Sequence, residues 1–403
     1  MSDDFDFYSD DFQHNPAATF ARMQSQCPFH KSEKLGWYSV FRFTDIQNIV
    51  RDNETFSVKY GPGPSYAEPG AGAVLVSADP PLHGKQKQAI LTAFTPDLIA
   101  GMEDGIRAFV TSLFDELLPK GECDIVQDIA VPIPMWVICN MLDLDYEANH
   151  KQLREWVVVL AGSVFIDPGN DELEKTRAAS VRALQEFFVP HIQAKVDKDM
   201  AGEDPGNDLI GLLAKGRVDG ERISMAEMLS FALFLLVAGS GTTTNLIANF
   251  VKLMLEFPDQ FAKLKANPEL MDNAIEEVLR YEAPVHGLFR TNNETIKLGE
   301  LDVPTDSKIC LMWGSANRDP EVFEDPNTFN IERDLRTLRR NMTFGQGLHK
   351  CLGAPLARLE CKVFVEEFMR RVPEFSANGE IVPFPYATLN GPDHLPIKFS
   401  GGS

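Results

Sequence analysis

The chain has 403 residues, 44% of them hydrophobic and 24% charged, the proportions of a soluble globular protein with enough length to bury a large core. Its 38 Lys+Arg against 59 Asp+Glu give a net charge of −21, which argues against nucleic acid as a partner. The acidic N-terminus has no apolar signal segment, and the longest apolar run, near 231–239, is short of the roughly 20 residues that cross a bilayer, so no membrane partner is expected. The six cysteines (27, 123, 139, 310, 351, 361) show no CxxC spacing and fit reduced thiols, so a cytoplasmic protein is expected.

No internal repeat or long linker divides the chain, and one domain over 1–403 is expected, with a flexible acidic tail over about 1–12. Residues 16–26 read as a helix entered through Pro16, followed by an alternating, aromatic-rich strand at 37–41 and a helix near 44–51. Residues 57–78 hold Gly-Pro pairs that no regular element accommodates, so an irregular loop is expected there, either functional or plain surface. Helical pattern resumes from His83 to about Phe94, and Thr95-Pro96 caps the next helix. The chain is then mostly helical to about 216, with a long surface helix at 172–199. Ser224-Met225-Ala226-Glu227 is a capping box that opens a helix reaching Phe257, where Pro258 stops it, a span of roughly 50 Å. Residues 228–239 are apolar on every side, which places this helix in the core. After helices near 259–268 and 269–282, strand-like runs at 295–298, 301–303 and 308–311 give a mainly α chain with a small β-rich region.

Three stretches carry chemistry. In Phe344-Gly345-Gln346-Gly347-Leu348-His349-Lys350-Cys351-Leu352-Gly353, glycines let the backbone bend around a large flat ligand. Cys351 precedes a helix whose free N–H groups favour a thiolate, the form that ligates a metal; an inert cysteine in a tight turn is the alternative. In Ala238-Gly239-Ser240-Gly241-Thr242-Thr243-Thr244, glycines and threonines weaken the middle of the long helix, which suggests a kink or the close approach of a ligand. Glu277 and Arg280, three apart, share a helix face and can pair.

The cysteine loop resembles, at every fixed position, the F-G-x-G-x-H-x-C-x-G haem-binding loop of the cytochromes P450, and the other two stretches resemble that family's A-G-x-(D/E)-T-(T/S) and E-x-x-R motifs, in the right order. The resemblance implies the triangular-prism cytochrome P450 fold with the long helix over the haem, and haem b held through Cys351, with Phe344, Gly345 and Gly353 shaping the loop. His83 and Lys87 resemble the family's H-x-x-x-R, with Arg290 and His349 at the other two positions that hold haem propionates. Thr242, beside Thr243, is then the hydroxyl that orients protons toward dioxygen. Gly241 stands where the family usually has an acid, which puts the ordinary proton route in doubt. Ala238 and Gly239 leave room above the haem. Glu277, Arg280 and Arg333 form a structural brace. By the same alignment the substrate pocket is lined by the 57–78 loop, the region around 160–170, and Phe234, Val237, Ala238, Val285, Leu288 and Leu389.

The implied activity is a haem-thiolate monooxygenase that takes dioxygen and inserts one oxygen atom into a small lipophilic substrate, by hydroxylation or O-dealkylation. A ferredoxin or flavodoxin and its reductase supply electrons, and Lys350, Arg358, Arg339 and Arg340 form a candidate docking patch. A monomer is expected. The alternatives are a peroxide-driven peroxygenase, motivated by Gly241, and a non-catalytic haem-binding sensor.

Overall fold

The computed structural model describes residues 5–67, 73–162, 171–218, 220–385 and 389–400. Its axis is the helix Met225–Glu256. Ser224 and Glu227 close the capping box reciprocally, each side chain accepting the other's backbone N–H, at 3.2 and 3.0 Å. Phe231, Leu236, Leu246, Ile247, Phe250 and Leu253 on this helix are each 1% exposed or less, so an element apolar and long enough to cross a membrane packs largely inside the chain. The helix is continuous through its glycines and threonines. Thr242 Oγ1 donates to the Ala238 carbonyl at 2.8 Å and Ser240 Oγ to that of Leu236, so the hydroxyls bond back along the helix without breaking it.

Helices pack around this axis. Asp171–Met200, read from sequence as a surface helix, is amphipathic: Leu184, Phe188, Ile192 and Val196 recur every four residues and are buried against its neighbours. Thr95 caps Pro96–Gly101 by accepting the Leu98 N–H. The largest sheet has five strands in the order Phe29–Lys31, Tyr38–Val40, Lys308–Leu311, Leu288–Asn292, Phe56–Ser57, and smaller sheets lie beside it. In the five-stranded sheet the pairings are antiparallel except between its second and third strands, where Tyr38 lies opposite Ile309 in a parallel pair.

The flexible tail expected over 1–12 is not what forms from Phe5 onward. Phe5, Phe7 and Phe12 are each 1% exposed and pack with Phe20, Trp37, Phe41 and Phe289, with Phe5 edge-on to Phe12 and to Phe41 at 5.1 Å between centroids. The acidic residues between them set the composition, while three phenylalanines supply the burial that orders the segment.

Candidate functional site

One cavity of about 400 Å³ lies against the middle of the central helix, and its lining is predominantly apolar. Segments distant in sequence meet there: His83 and Lys87 from helix Leu82–Leu91, residues 234–246 of the central helix, Arg290 from strand Leu288–Asn292, the loop 343–353, and the start of helix Ala354–Arg371. The cavity brings together Gly241, Thr242, Thr243, Cys351, His83, Lys87, Arg290, His349, Phe344, Gly345 and Gly353. It also takes in Phe234, Val237, Ala238, Val285, Leu288 and Leu389. Of the two segments expected along its wall, 68–72 and 163–170 lie outside the described residues; Pro62, Leu75 and Val76 from 57–78 line it.

The loop 344–353 is shaped by backbone requirements. Gly345 and Gly347 adopt φ of +63° and +69°, and a Cβ on Gly347 would stand 2.8 Å from the Val50 carbonyl oxygen, so no larger residue fits. The turn is closed by the Cys351 N–H donating to the Phe344 carbonyl at 2.9 Å. Cys351 is exposed where it borders the cavity. Burial by surrounding protein raises the pKa of its thiol, while the Gly353 and Ala354 N–H groups and the Arg358 charge oppose that rise. The helix start thus favours the thiolate as expected, against the desolvation of the cavity wall.

Basic and donor groups gather at one part of the cavity. Arg290 is 5% exposed, and among the described residues it has no ion pair, its guanidinium donating to the Phe289 carbonyl at 3.2 Å; burial lowers its pKa to about 10. Lys87 Nζ donates to the Leu348 carbonyl at 3.2 Å. The His83 and His349 rings lie 4.4 Å apart, and Nδ1 of each is buried without a partner. Burial first, with nearby positive charge, lowers His349 to about 3 and moves His83 in the same direction. Uncompensated buried cations and orphaned ring nitrogens are costly unless an anion completes them. Two carboxylates of a flat apolar ligand would do so, and a cavity with a thiol, a cation cluster and apolar walls fits haem b.

On the central helix, Gly241 and Gly239 make room in different directions. Gly239 lines the cavity, and a Cβ there would stand 2.6 Å from Ile138 Cδ1, which lines it too, so no side chain fits between the helix and that wall. A Cβ on Gly241 would stand 3.1 Å from Leu389 Cδ1, and Leu389 forms an isolated β-bridge with Val285 on the cavity wall.

The brace lies beside the cavity. Glu277 and Arg280 are fully buried and joined by two hydrogen bonds of 2.6 and 2.7 Å; Arg333 Nε adds a third to Glu277 at 3.1 Å, and the Asn330 N–H a fourth at 2.8 Å. Arg280 also donates to the carbonyls of Asn317, Pro326 and Thr328. The helix Met271–Tyr281 is thereby tied to the segment that leads into the cysteine loop. The candidate docking patch is partly neutralised: Arg358 pairs with Glu276 and Arg339 with Asp272, while Lys350 and Arg340 are exposed and, among the described residues, form no ion pair.

Sequence reasoning missed Glu360, which lines the same cavity. The signal was present: Glu360 follows Leu356 and Ala357 by four and three residues on the helix that starts after Cys351, and both of those also line the cavity.

The cytochrome P450 family model matches residues 32–376. The chain is similar to Cytochrome P450 107B1 of Saccharopolyspora erythraea, 34% identical over 334 residues that cover 82% of this chain and 78% of the relative. It is also similar to cytochrome P450 monooxygenase PikC of Streptomyces venezuelae, 31% identical over 97% of this chain and 93% of that one. Among solved structures, CYP109Q5 from Chondromyces apiculatus superposes over the whole of both chains at a TM-score of 0.87 and 30% identity. CYP109E1 from Bacillus megaterium, solved in complex with testosterone, covers 97% of this chain and 99% of its own at 0.87 and 29%. With a thiol loop, a cation cluster and a helix of threonines around one apolar cavity, and with relatives of one kind across its length, the chain belongs to the cytochrome P450 family, as a haem b monooxygenase.

Proposed function

We propose that Cys351 Sγ ligates the haem iron, that Lys87, Arg290, His83 and His349 hold the propionates, and that the enzyme oxidises a neutral lipophilic molecule by hydroxylation or O-dealkylation. The observation that carries this reading is the convergence of segments far apart in sequence on one cavity, each with the group its role requires. Haem, when bound, supplies the reductive activation of dioxygen, and electron donation from a thiolate favours O–O cleavage.

The chain's own residues do the rest. Arg290 and Lys87 place positive charge where carboxylates must sit, and the orphaned ring nitrogens of His83 and His349 add donors. Thr242, whose hydroxyl hydrogen is engaged by Ala238, keeps its oxygen lone pairs free to accept from a water and so to orient a proton toward dioxygen. Phe234, Val237, Val285, Leu288 and Leu389 exclude bulk water and bind substrate by shape; none carries a charge, which favours a neutral ligand. Electrons come from an external ferredoxin or flavodoxin and its reductase, steered by Lys350 and Arg340, with the protein a cytoplasmic monomer.

A second reading, peroxide-driven oxidation, is favoured by one observation, Gly241 in place of an acid. Two measurements test these readings. Binding of carbon monoxide to the reduced protein is expected to give a strongly red-shifted Soret band that Cys351→Ala removes; an unshifted band rejects the thiolate ligand. With testosterone as probe, product is expected with a surrogate ferredoxin system, and product only with peroxide selects the second reading.

A further inference from the structure

Lys308 opens strand Lys308–Leu311 with its side chain enclosed: it is 2% exposed, and no other lysine among the described residues is so deeply buried. Among those residues it forms no ion pair; Asp306, two residues earlier, pairs with Lys59 instead, at 3.3 Å. Lys308 Nζ donates to two consecutive backbone carbonyls, Tyr60 at 2.8 Å and Gly61 at 3.0 Å, and lies 5.2 Å from the centre of the Tyr66 ring. A buried amine without a countercharge is costly, and methionine, of similar length, would fill the position without that cost. A position that breaks the rule that buried charges are paired points to function.

The two carbonyls belong to the irregular segment that reaches the cavity. Gly61 turns at φ +82°, and the Pro62 carbonyl then accepts the Phe289 N–H at 2.9 Å. Pro62 and Leu288, the neighbour of Phe289, both line the cavity. The segment closes back on the same lysine: the Ala67 N–H donates to the Tyr60 carbonyl at 3.1 Å, and the Tyr66 hydroxyl to the Asp306 carbonyl at 2.8 Å. Residues 60–67 are thus folded around one side chain of the sheet, which gives an irregular loop a fixed place at the cavity wall. In either protonation state the amine keeps the two N–H groups that two carbonyls take.

We propose that Lys308 is a positioning residue for substrate: by holding the Tyr60 and Gly61 carbonyls it fixes Pro62, and with it one wall of the cavity, for ligands large enough to reach that wall. The inference rests on the cavity being the substrate site, as proposed above. Lys308 itself is outside the lining and acts through the segment. A wall fixed before a ligand arrives does not have to be ordered by it, which preserves affinity for a bulky molecule. A ligand that reaches only the iron is indifferent to that wall.

Lys308→Met is the informative variant, because it keeps the apolar stem and removes the donor. Haem-loaded parent and variant are titrated with imidazole, a small iron ligand, and with clotrimazole, whose three aromatic rings extend from the same azole, both read by the shift of the Soret band. Lys308→Met is expected to keep the carbon monoxide band and the imidazole affinity of the parent and to bind clotrimazole several-fold more weakly, through faster release. Equal changes for the two ligands, or none, overturn the proposal, as does a parent that binds imidazole but not clotrimazole, since the wall then meets no ligand. A second measurement needs no variant to fold: deuterium uptake by residues 60–67 of the parent is expected to fall when clotrimazole is bound, and unchanged uptake also overturns the proposal. A parent whose Soret band imidazole does not shift fails at the haem reading instead, so the two failures are separable.

Discussion

Glu277→Gln tests how the region around the cysteine loop is held. The carboxylate accepts four hydrogen bonds, two from Arg280, one from Arg333 and one from the Asn330 N–H. Glutamine keeps the shape but removes the charge, and its amide must turn one N–H toward the guanidinium of Arg280, which is 0% exposed. Breaking a buried pair from one side leaves an uncompensated charge and costs about 3–5 kcal/mol, a large part of the roughly 5–15 kcal/mol that holds a typical domain. The three carbonyls that also accept from Arg280 place the expectation at the lower end, about 3 kcal/mol. Arg333→Met should cost less, because Arg333 is partly exposed and Glu277 keeps Arg280. The assay is urea unfolding of the haem-loaded protein, followed by far-ultraviolet circular dichroism and by the Soret band. The double variant Glu277→Gln/Arg280→Met is expected to cost less than the sum of its singles, since each removes the other's partner. The reasoning fails if Glu277→Gln lies within about 1 kcal/mol of the parent, or if the doubles add without coupling.

Three further outcomes follow from the geometry. Gly241→Ala gains about 1 kcal/mol of helix propensity but sets a methyl 3.1 Å from Leu389, so it should stabilise more in a Leu389→Ala background than in the parent, as read by melting temperature; equal effects refute the contact as the reason for glycine. Lys308 is buried, donates to the carbonyls of Tyr60 and Gly61, and has its pKa lowered from 10.5 to about 7 by burial. Below that folded value both states hold the proton; above it the unfolded chain alone does, so stability should rise from about pH 7 toward 10, by at most about 1.4 kcal/mol per unit, and the rise should shrink in Lys308→Met when the two are unfolded in parallel. Phe12→Ala should cost about 3–5 kcal/mol in denaturant unfolding, whereas a flexible tail would show no change.

The parts legible in sequence were those where local chemistry is restrictive. The glycines around Cys351 admit few backbones, and the Ser224 box and Pro258 mark both ends of the central helix. What escaped depends on distance in the chain. The pairing of Tyr38–Val40 with Lys308–Leu311 joins segments whose partners no local pattern names. Phe5, Phe7 and Phe12 were hidden by the aspartates between them. Glu360 looked like one more charged residue on a helix, since a single sequence does not show which face of that helix lacks a countercharge.

The parallel strand pair of the five-stranded sheet also sets a schedule for synthesis. A ribosome delivers Tyr38–Val40 early and Lys308–Leu311 late, and Gln24 likewise waits for the Ser315 carbonyl to which it donates at 2.7 Å. Until then the antiparallel pair Phe29–Lys31 and Tyr38–Val40 presents an open edge of unpaired N–H and C=O groups, a template for pairing with other chains. Strand Leu288–Asn292, which carries Arg290 to the cavity, pairs with the early strand Phe56–Ser57 on one side and with the same late strand on the other. Contacts that span so much chain form slowly. The nascent protein therefore has a helical body well before it has a finished cavity wall, and that interval is when it is most exposed to aggregation and when a chaperone would matter most.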